Sequence, residues 1–194
     1  MRTHELVSGR TVAVVFDHGD DFFSALQQAC AANGIRQGYI PMFIAGLADV
    51  SIVGTCEKLA DPAAPVWSSV HLSNVEALGG GTLASGPDGV SPHIHITVGR
   101  KEQSADGSTS HLLSATVQFL TEMVIVEVLS PEMTREPKPD LYNVPLLRFG
   151  SLSTIRPPTP GRGLRSCQAM TVAGRHMCVL PTVCSGAGIW PRER

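Results

Sequence analysis

Apolar residues in the first 150 positions gather into short β-branched runs separated by polar and glycine-containing breaks. Thr11-Val12-Ala13-Val14-Val15-Phe16 stops at Asp17-His18-Gly19-Asp20, as a strand entering a turn does. The period then changes. Phe22, Leu26, Ala29 and Cys30 form an apolar stripe at helical spacing, Asp20 or Asp21 stands where a cap is needed, and Gly34 follows the end, so a helix is predicted over 20–32. Three strand-length stretches come next, Tyr39 to Ile44, Asp49 to Gly54 and Trp67 to Leu72, broken by Gly46, Pro62 and Pro65. Val75 to Leu78 runs into Gly79-Gly80-Gly81, which marks a bulge or a place where another backbone or a ligand comes close. The run lacks the lysine and the capped helix that a phosphate loop requires. Beyond Pro92, His93-Ile94-His95-Ile96-Thr97-Val98 alternates strictly, and after a Gly/Ser/Asp-rich connection at 99–110 two further β-rich runs span His111 to Phe119 and Glu122 to Leu129.

After Pro131 the texture changes. Glu136-Pro137-Lys138-Pro139-Asp140 reads as a structural break, and Leu141 to Phe149 as a last strand or docking segment. Residues 151–194 contain Pro157-Pro158, Pro160, Gly161 and Gly163 with no sustained periodicity, the texture of a poorly ordered tail. Repeated strands with one early helix predict an α+β fold with a mainly antiparallel sheet, forming a main domain over 1–150 and a tail over 151–194.

Composition agrees with one folded core. Hydrophobic residues make up 43% of the 194 and charged residues 16%, more to bury and less to solvate than in a disordered chain. The net charge of -2 conceals a division: residues 1–150 carry 9 Lys/Arg against 16 Asp/Glu, net -7, and residues 151–194 carry 6 Arg against Glu193, net +5. An acidic domain repels nucleic acid unless its cations cluster, so a DNA contact is expected in the tail, with Arg162 and Arg165 as candidates. Cys30, Cys56, Cys167, Cys178 and Cys184 are odd in number and include no C-x-x-C pair, which predicts reduced thiols rather than a disulfide framework. With no apolar window of membrane-spanning length, a soluble, cytoplasmic protein with no membrane partner is expected.

The chemistry is concentrated in histidine. Residues i and i+2 of a strand share a face, so His93 and His95 project together while Ile94, Ile96 and Val98 turn to the opposite face. His111 opens the next predicted strand after a loop that allows the two strands to be neighbours, and the three imidazoles then converge on one divalent ion. Zinc suits such a set best, and iron, manganese and nickel are also accepted by imidazole. The same spacing also fits plain half-exposed strand histidines. His4, His18, His71 and His176 have no partner spacing and read as surface or turn residues. Glu76 and Glu122 each interrupt an apolar strand; Glu76 is the candidate general base, although an outward-facing strand position tolerates glutamate equally. Neither a G-x-S-x-G elbow nor a dinucleotide fingerprint is present, which disfavours covalent hydrolase and nicotinamide chemistry.

The order of these features, from Arg2 through the helix, Ile40 to Val50 and Glu76-Ala77-Leu78 to His93-Ile94-His95, Ser110-His111-Leu112-Leu113 and Thr121-Glu122-Met123-Val124-Ile125, resembles the PPC (plant and prokaryote conserved) domain. Bacteria, archaea and the plant AT-hook nuclear-localised proteins share that domain, and the resemblance covers roughly residues 1–150. It implies an antiparallel sheet of about seven strands flanked by helices, assembled as a homotrimer. It also implies a metal site at His93, His95 and His111, as in prokaryotic members that keep the histidines, and a candidate DNA-binding or regulatory role. The alternative is a metal-dependent enzyme acting on a small molecule, its ion activating water or a carbonyl. Two departures stand out: Thr109-Ser110 precedes His111 where the family has Gly-Gly, and Pro160-Gly161-Arg162-Gly163-Leu164-Arg165 is a partial match to the R-G-R-P hook.

Overall fold

A computed structural model describes residues 1–55, 67–100, 103–141 and 143–150. The expectations for Pro62 and Pro65 and for the tail, Arg162 and Arg165 included, lie outside them. The elements in order are β1 (Val7–Asp17), α1 (Phe22–Asn33), β2 (Gly38–Thr55), β3 (Trp67–Gly86), β4 (Gly89–Arg100), β5 (Gln103–Ser130), β6 (Met133–Lys138), a one-turn 3-10 helix (Pro139–Leu141) and β7 (Val144–Phe149). The larger sheet has the order β1-β5-β2-β3-β4, every pairing is antiparallel, and β4 also pairs with β5. Strands β2 to β5 therefore form a closed, barrel-like ring. β1 extends the sheet along the far half of β5, and β6 and β7 make a separate two-stranded ribbon.

The ring is filled from inside. Leu47, Val50 and Ile52 of β2, Leu72 and Val75 of β3, Ile94, Ile96 and Val98 of β4 and Leu112 and Val117 of β5 are all buried in one cluster. The helix adds its predicted stripe: Phe22, Leu26 and Cys30 are buried, with Phe22 against Phe43 at 5.2 Å and edge-on to Phe16 at 5.4 Å between ring centroids. Asp21 caps it by accepting from the Ser24 amide at 2.8 Å, and Gly34 ends it in the left-handed conformation at φ 65°. The start of the ribbon is held by the buried Gln37. Its Nε2 donates to the carbonyls of Val128 (3.1 Å) and Pro131 (2.9 Å), and its Oε1 accepts from the Met133 amide at 2.7 Å.

Several expected breaks are not breaks. Tyr39 to Ile44 and Asp49 to Gly54 belong to one 18-residue strand that passes through Gly46, because a Cβ there would lie 2.5 Å from the Gln118 carbonyl oxygen; glycine admits a close approach and the ladder continues. The runs on either side of residue 73 are one strand of 20 residues, and those on either side of residue 120 belong to one of 28. The polar connection expected at 99–110 is largely strand, paired with β4 through Thr97 opposite Thr109 and Val98 opposite Ser108. It reads as loop because Asp106, Gly107 and Thr109 bury no side chain, yet backbone pairing needs none. Glu136-Pro137-Lys138 lies in β6, where a two-stranded ribbon leaves edge positions that tolerate proline. Among the described residues α1 is the only α-helix, against the expectation of flanking helices.

The Gly79-Gly80-Gly81 run marks a real irregularity. Ile40 pairs with Gly81 and Phe43 with Gly79, so β2 carries an extra residue opposite Gly80. A Cβ on Gly79 would stand 2.5 Å from both the His95 carbonyl oxygen and Phe43 Cζ. Gly79→Ala is expected to destabilise the fold by about 1–3 kcal/mol through overpacking. Gly99→Ala, whose nearest neighbour would be the Glu76 carbonyl at 3.9 Å, should stay within about 0.5 kcal/mol of the parent. Urea unfolding midpoints of the two variants check this contrast.

Candidate metal centre

Filling the ring with Ile94, Ile96 and Val98 forces the intervening residues of β4 outward, so His93 and His95 share the outer face. His111 joins them because it lies directly opposite His95 in the β4–β5 ladder, well inside β5 rather than at the start of a strand. The three rings sit 4.9 to 5.6 Å apart between centroids, and one nitrogen from each falls within 4.8 Å of the others. Nε2 of His93 and Nε2 of His95 face each other at 3.2 Å. Gly80, paired with His95, places no side chain beside that ring.

The donor set fits a cation. Nδ1 of His111 is buried and has no hydrogen-bond partner, an arrangement that costs stability unless something occupies it. Burial, followed by the positive Arg135 and the neighbouring imidazoles, pushes His93 down to about 4. Burial, His95 and Arg135 likewise hold His111 below the ordinary histidine range. Both rings are therefore unprotonated at neutral pH, which is the form that ligates metal. Three imidazole ligands would leave a fourth position for another ligand.

The three histidines line an open cleft of about 1080 Å³, whose walls include Val53, Pro92, Leu113, Val144 and Pro145. Arg135 of β6 reaches into the same cleft. Its Nη2 donates to Thr82 Oγ1 at 2.7 Å and to the Thr82 carbonyl at 3.3 Å, and its Nε donates to the Ser91 carbonyl at 3.3 Å. No feature of the sequence singled out Arg135. It stands in a segment that reads as a break, and only the fold-back of the ribbon brings it beside His93.

The other candidates are elsewhere. Glu76 is exposed opposite Gly46 and Gly99, four residues along β4 from His95, or about 13 Å at the rise of a strand. Glu122 is exposed between Val15 and Ile44. Neither lines the cleft. His4 stacks on Phe149 at 4.7 Å, and His18 Nδ1 accepts from the Phe119 amide at 3.1 Å. His71 has partners the sequence did not suggest: Ser51 Oγ lies 3.2 Å from its Nδ1 and Asp49 Oδ1 lies 3.2 Å from its Nε2. This serine-histidine-aspartate contact is not built as a nucleophilic site. His71 and Asp49 are 61% and 55% exposed, and all three sit in the middle of the paired β2–β3 ladder, which engages backbone amides that an oxyanion hole would need.

Comparison with known proteins agrees with the architecture. A candidate DNA-binding protein from Bacteroides thetaiotaomicron is 23% identical over 74% of this chain and 97% of its own, with a TM-score of 0.60. A metal-containing protein from Archaeoglobus fulgidus is 19% identical over 75% of this chain and 98% of its own, with a TM-score of 0.61. A plant- and prokaryote-conserved (PPC) protein from Pyrococcus horikoshii is 22% identical over 78% of this chain and all 100% of its own, also at 0.61. At these identities the likeness is one of fold. No curated protein matches the sequence. The sequence profile of the Plants and Prokaryotes Conserved (PCC) domain, the family abbreviated PPC above, covers residues 3–129, and the chain belongs to that family.

Proposed function

We propose that this chain is a metal-binding PCC-domain protein whose His93, His95 and His111 hold one divalent ion for work on a small molecule, with any DNA contact confined to its basic tail. The observation that carries the reading is the convergence of three imidazole nitrogens within 4.8 Å on the wall of an open cleft. Zinc is the first choice, since three protein ligands and an open position are its usual catalytic arrangement; iron, manganese and nickel accept the same donors. When bound, the ion supplies Lewis acidity toward an oxygen in the open position. Burial and Arg135 disfavour protonation of His93 and His111, and the surrounding side chains shape the space for a ligand. The name of the Archaeoglobus fulgidus relative, a metal-containing protein, supports the same reading.

Self-association as a homotrimer is part of the proposal. Val15, Ile44 and Leu78 lie in one outward-facing register row across β1, β5, β2 and β3 and are 62%, 45% and 61% exposed, three apolar side chains around the single charged Glu122 of β5 that a second copy would cover. A DNA or regulatory role has separate support in the candidate DNA-binding relatives and in the +5 charge of residues 151–194.

No helix among the described residues is long and apolar enough to cross a membrane.

Three outcomes are expected. Replacing any one of His93, His95 or His111 by Ala should sharply lower the metal found by elemental analysis after chelator-free purification, whereas His18→Ala should leave it unchanged; equal metal in a His93→Ala, His95→Ala double variant rejects the site. Light scattering at micromolar concentration should return three times the 20.6 kDa chain mass, and a monomer mass rejects the trimer. Duplex DNA affinity should fall with salt at a log-log slope of about -5 if the six tail arginines neutralise one phosphate each. Exchanging all six for glutamine should abolish that binding, and unchanged affinity moves the DNA contact to the folded domain.

A further inference from the structure

Arg135 lines the same cleft as the three histidines. Arg135 is anchored beside the ligands themselves: Thr82, which takes its 2.7 Å hydrogen bond, is the register partner of His93, and Ser91 lies two residues before His93 on the same strand. All three acceptors it uses are neutral, one hydroxyl and two carbonyls. Its Nη1 has no hydrogen-bond partner among the described residues. Among the described residues, the acidic side chains that form ion pairs do so elsewhere, Glu127 with Arg10, Glu136 with Arg148 and Asp49 with His71, and none lines the cleft.

A half-buried guanidinium with no carboxylate partner among the described residues is costly, and here it stands beside three imidazoles. A divalent ion on those ligands would raise the local charge to +3, with no carboxylate among the described cleft residues to offset it. An anion supplied from outside would offset it. The cleft is far larger than a single ion requires, and Val53, Pro92, Leu113, Val144 and Pro145 line it with apolar surface. Those walls suit the aliphatic body of an organic molecule better than they suit a fully hydrated inorganic ion.

We propose that Arg135 is the anion-recognition residue of this cleft and that its ligand is a small aliphatic carboxylate, bound with its charge between the metal and the guanidinium. The inference rests on the metal reading above and goes beyond it by naming the class of ligand. It assigns Arg135 a binding role in addition to its tether between the ribbon and β3.

The test uses the full chain loaded with cobalt(II), whose visible absorption reports changes at the open position. Butyrate should perturb the spectrum and bind by calorimetry, and butyramide, the same shape without the charge, should not. Arg135→Gln should weaken butyrate by about ten- to a hundredfold, the loss of a charge-assisted hydrogen bond, and Arg135→Lys should recover part of it, with equal cobalt content in all three proteins. Butyrate affinity in Arg135→Gln equal to that of the parent overturns the inference, as does inorganic phosphate binding more tightly than butyrate. If Arg135→Gln is misfolded, the lysine variant decides: a folded Arg135→Lys protein that binds butyramide as well as butyrate also overturns it. A parent chain that takes up no cobalt is a different failure, seen in the elemental analysis before any anion is added, and it removes the metal reading itself.

Discussion

Pairing of β4 with the first part of β5 is the constraint on which the rest of the structure depends. It closes β2 to β5 into a ring, and with the interior of that ring filled by Ile94, Ile96, Val98 and Leu112, the residues between them have only the outer surface left. The register that sets His95 opposite His111 is the one that buries those aliphatic side chains. A slip of one residue would send the isoleucines of β4 to solvent and draw the histidines inward, exchanging the two faces of the strand. Core packing therefore specifies the histidine cluster indirectly. Three imidazoles are held within 4.8 Å without being part of any hydrophobic contact that stabilises the ring.

What could be read from the chain was local. The strict alternation of 93–98 and the cap, stripe and terminal glycine of α1 involve residues within one strand or a few helical turns, and the structure has them where the pattern places them. Strand lengths were not legible, for a reason shared by Gly46 and Gly79. Glycine normally punctuates a strand, but each of these stands where another backbone comes so close that any Cβ would collide with a carbonyl oxygen, so the residue that looks like an interruption permits continuity. His111 could be grouped with His93 and His95 by type and spacing, although its place inside a 28-residue strand could not be inferred from the polar segment before it. Arg135 was invisible. Its relation to His93 runs through Thr82 and Ser91, 53 and 44 residues away in sequence, and no periodicity spans such a separation.

The net charge of -7 over residues 1–150 argues that the domain repels nucleic acid unless its cations cluster, and the cleft shows why net charge is a poor guide to one site. At physiological ionic strength exposed charges are screened beyond about 8 Å. The acidic residues nearest in function, Glu76 and Glu122, are exposed on the outer face and do not line the cleft. Inside the cleft the balance is reversed: among the described residues the charged side chain on its wall is Arg135, and burial together with that same arginine disfavours protonation of His93 and His111. A carboxylate entering the cleft would meet a local field set by the guanidinium and by any ion the histidines hold. Under those conditions a nearby pair of positive groups outweighs a larger number of distant, solvated negative ones.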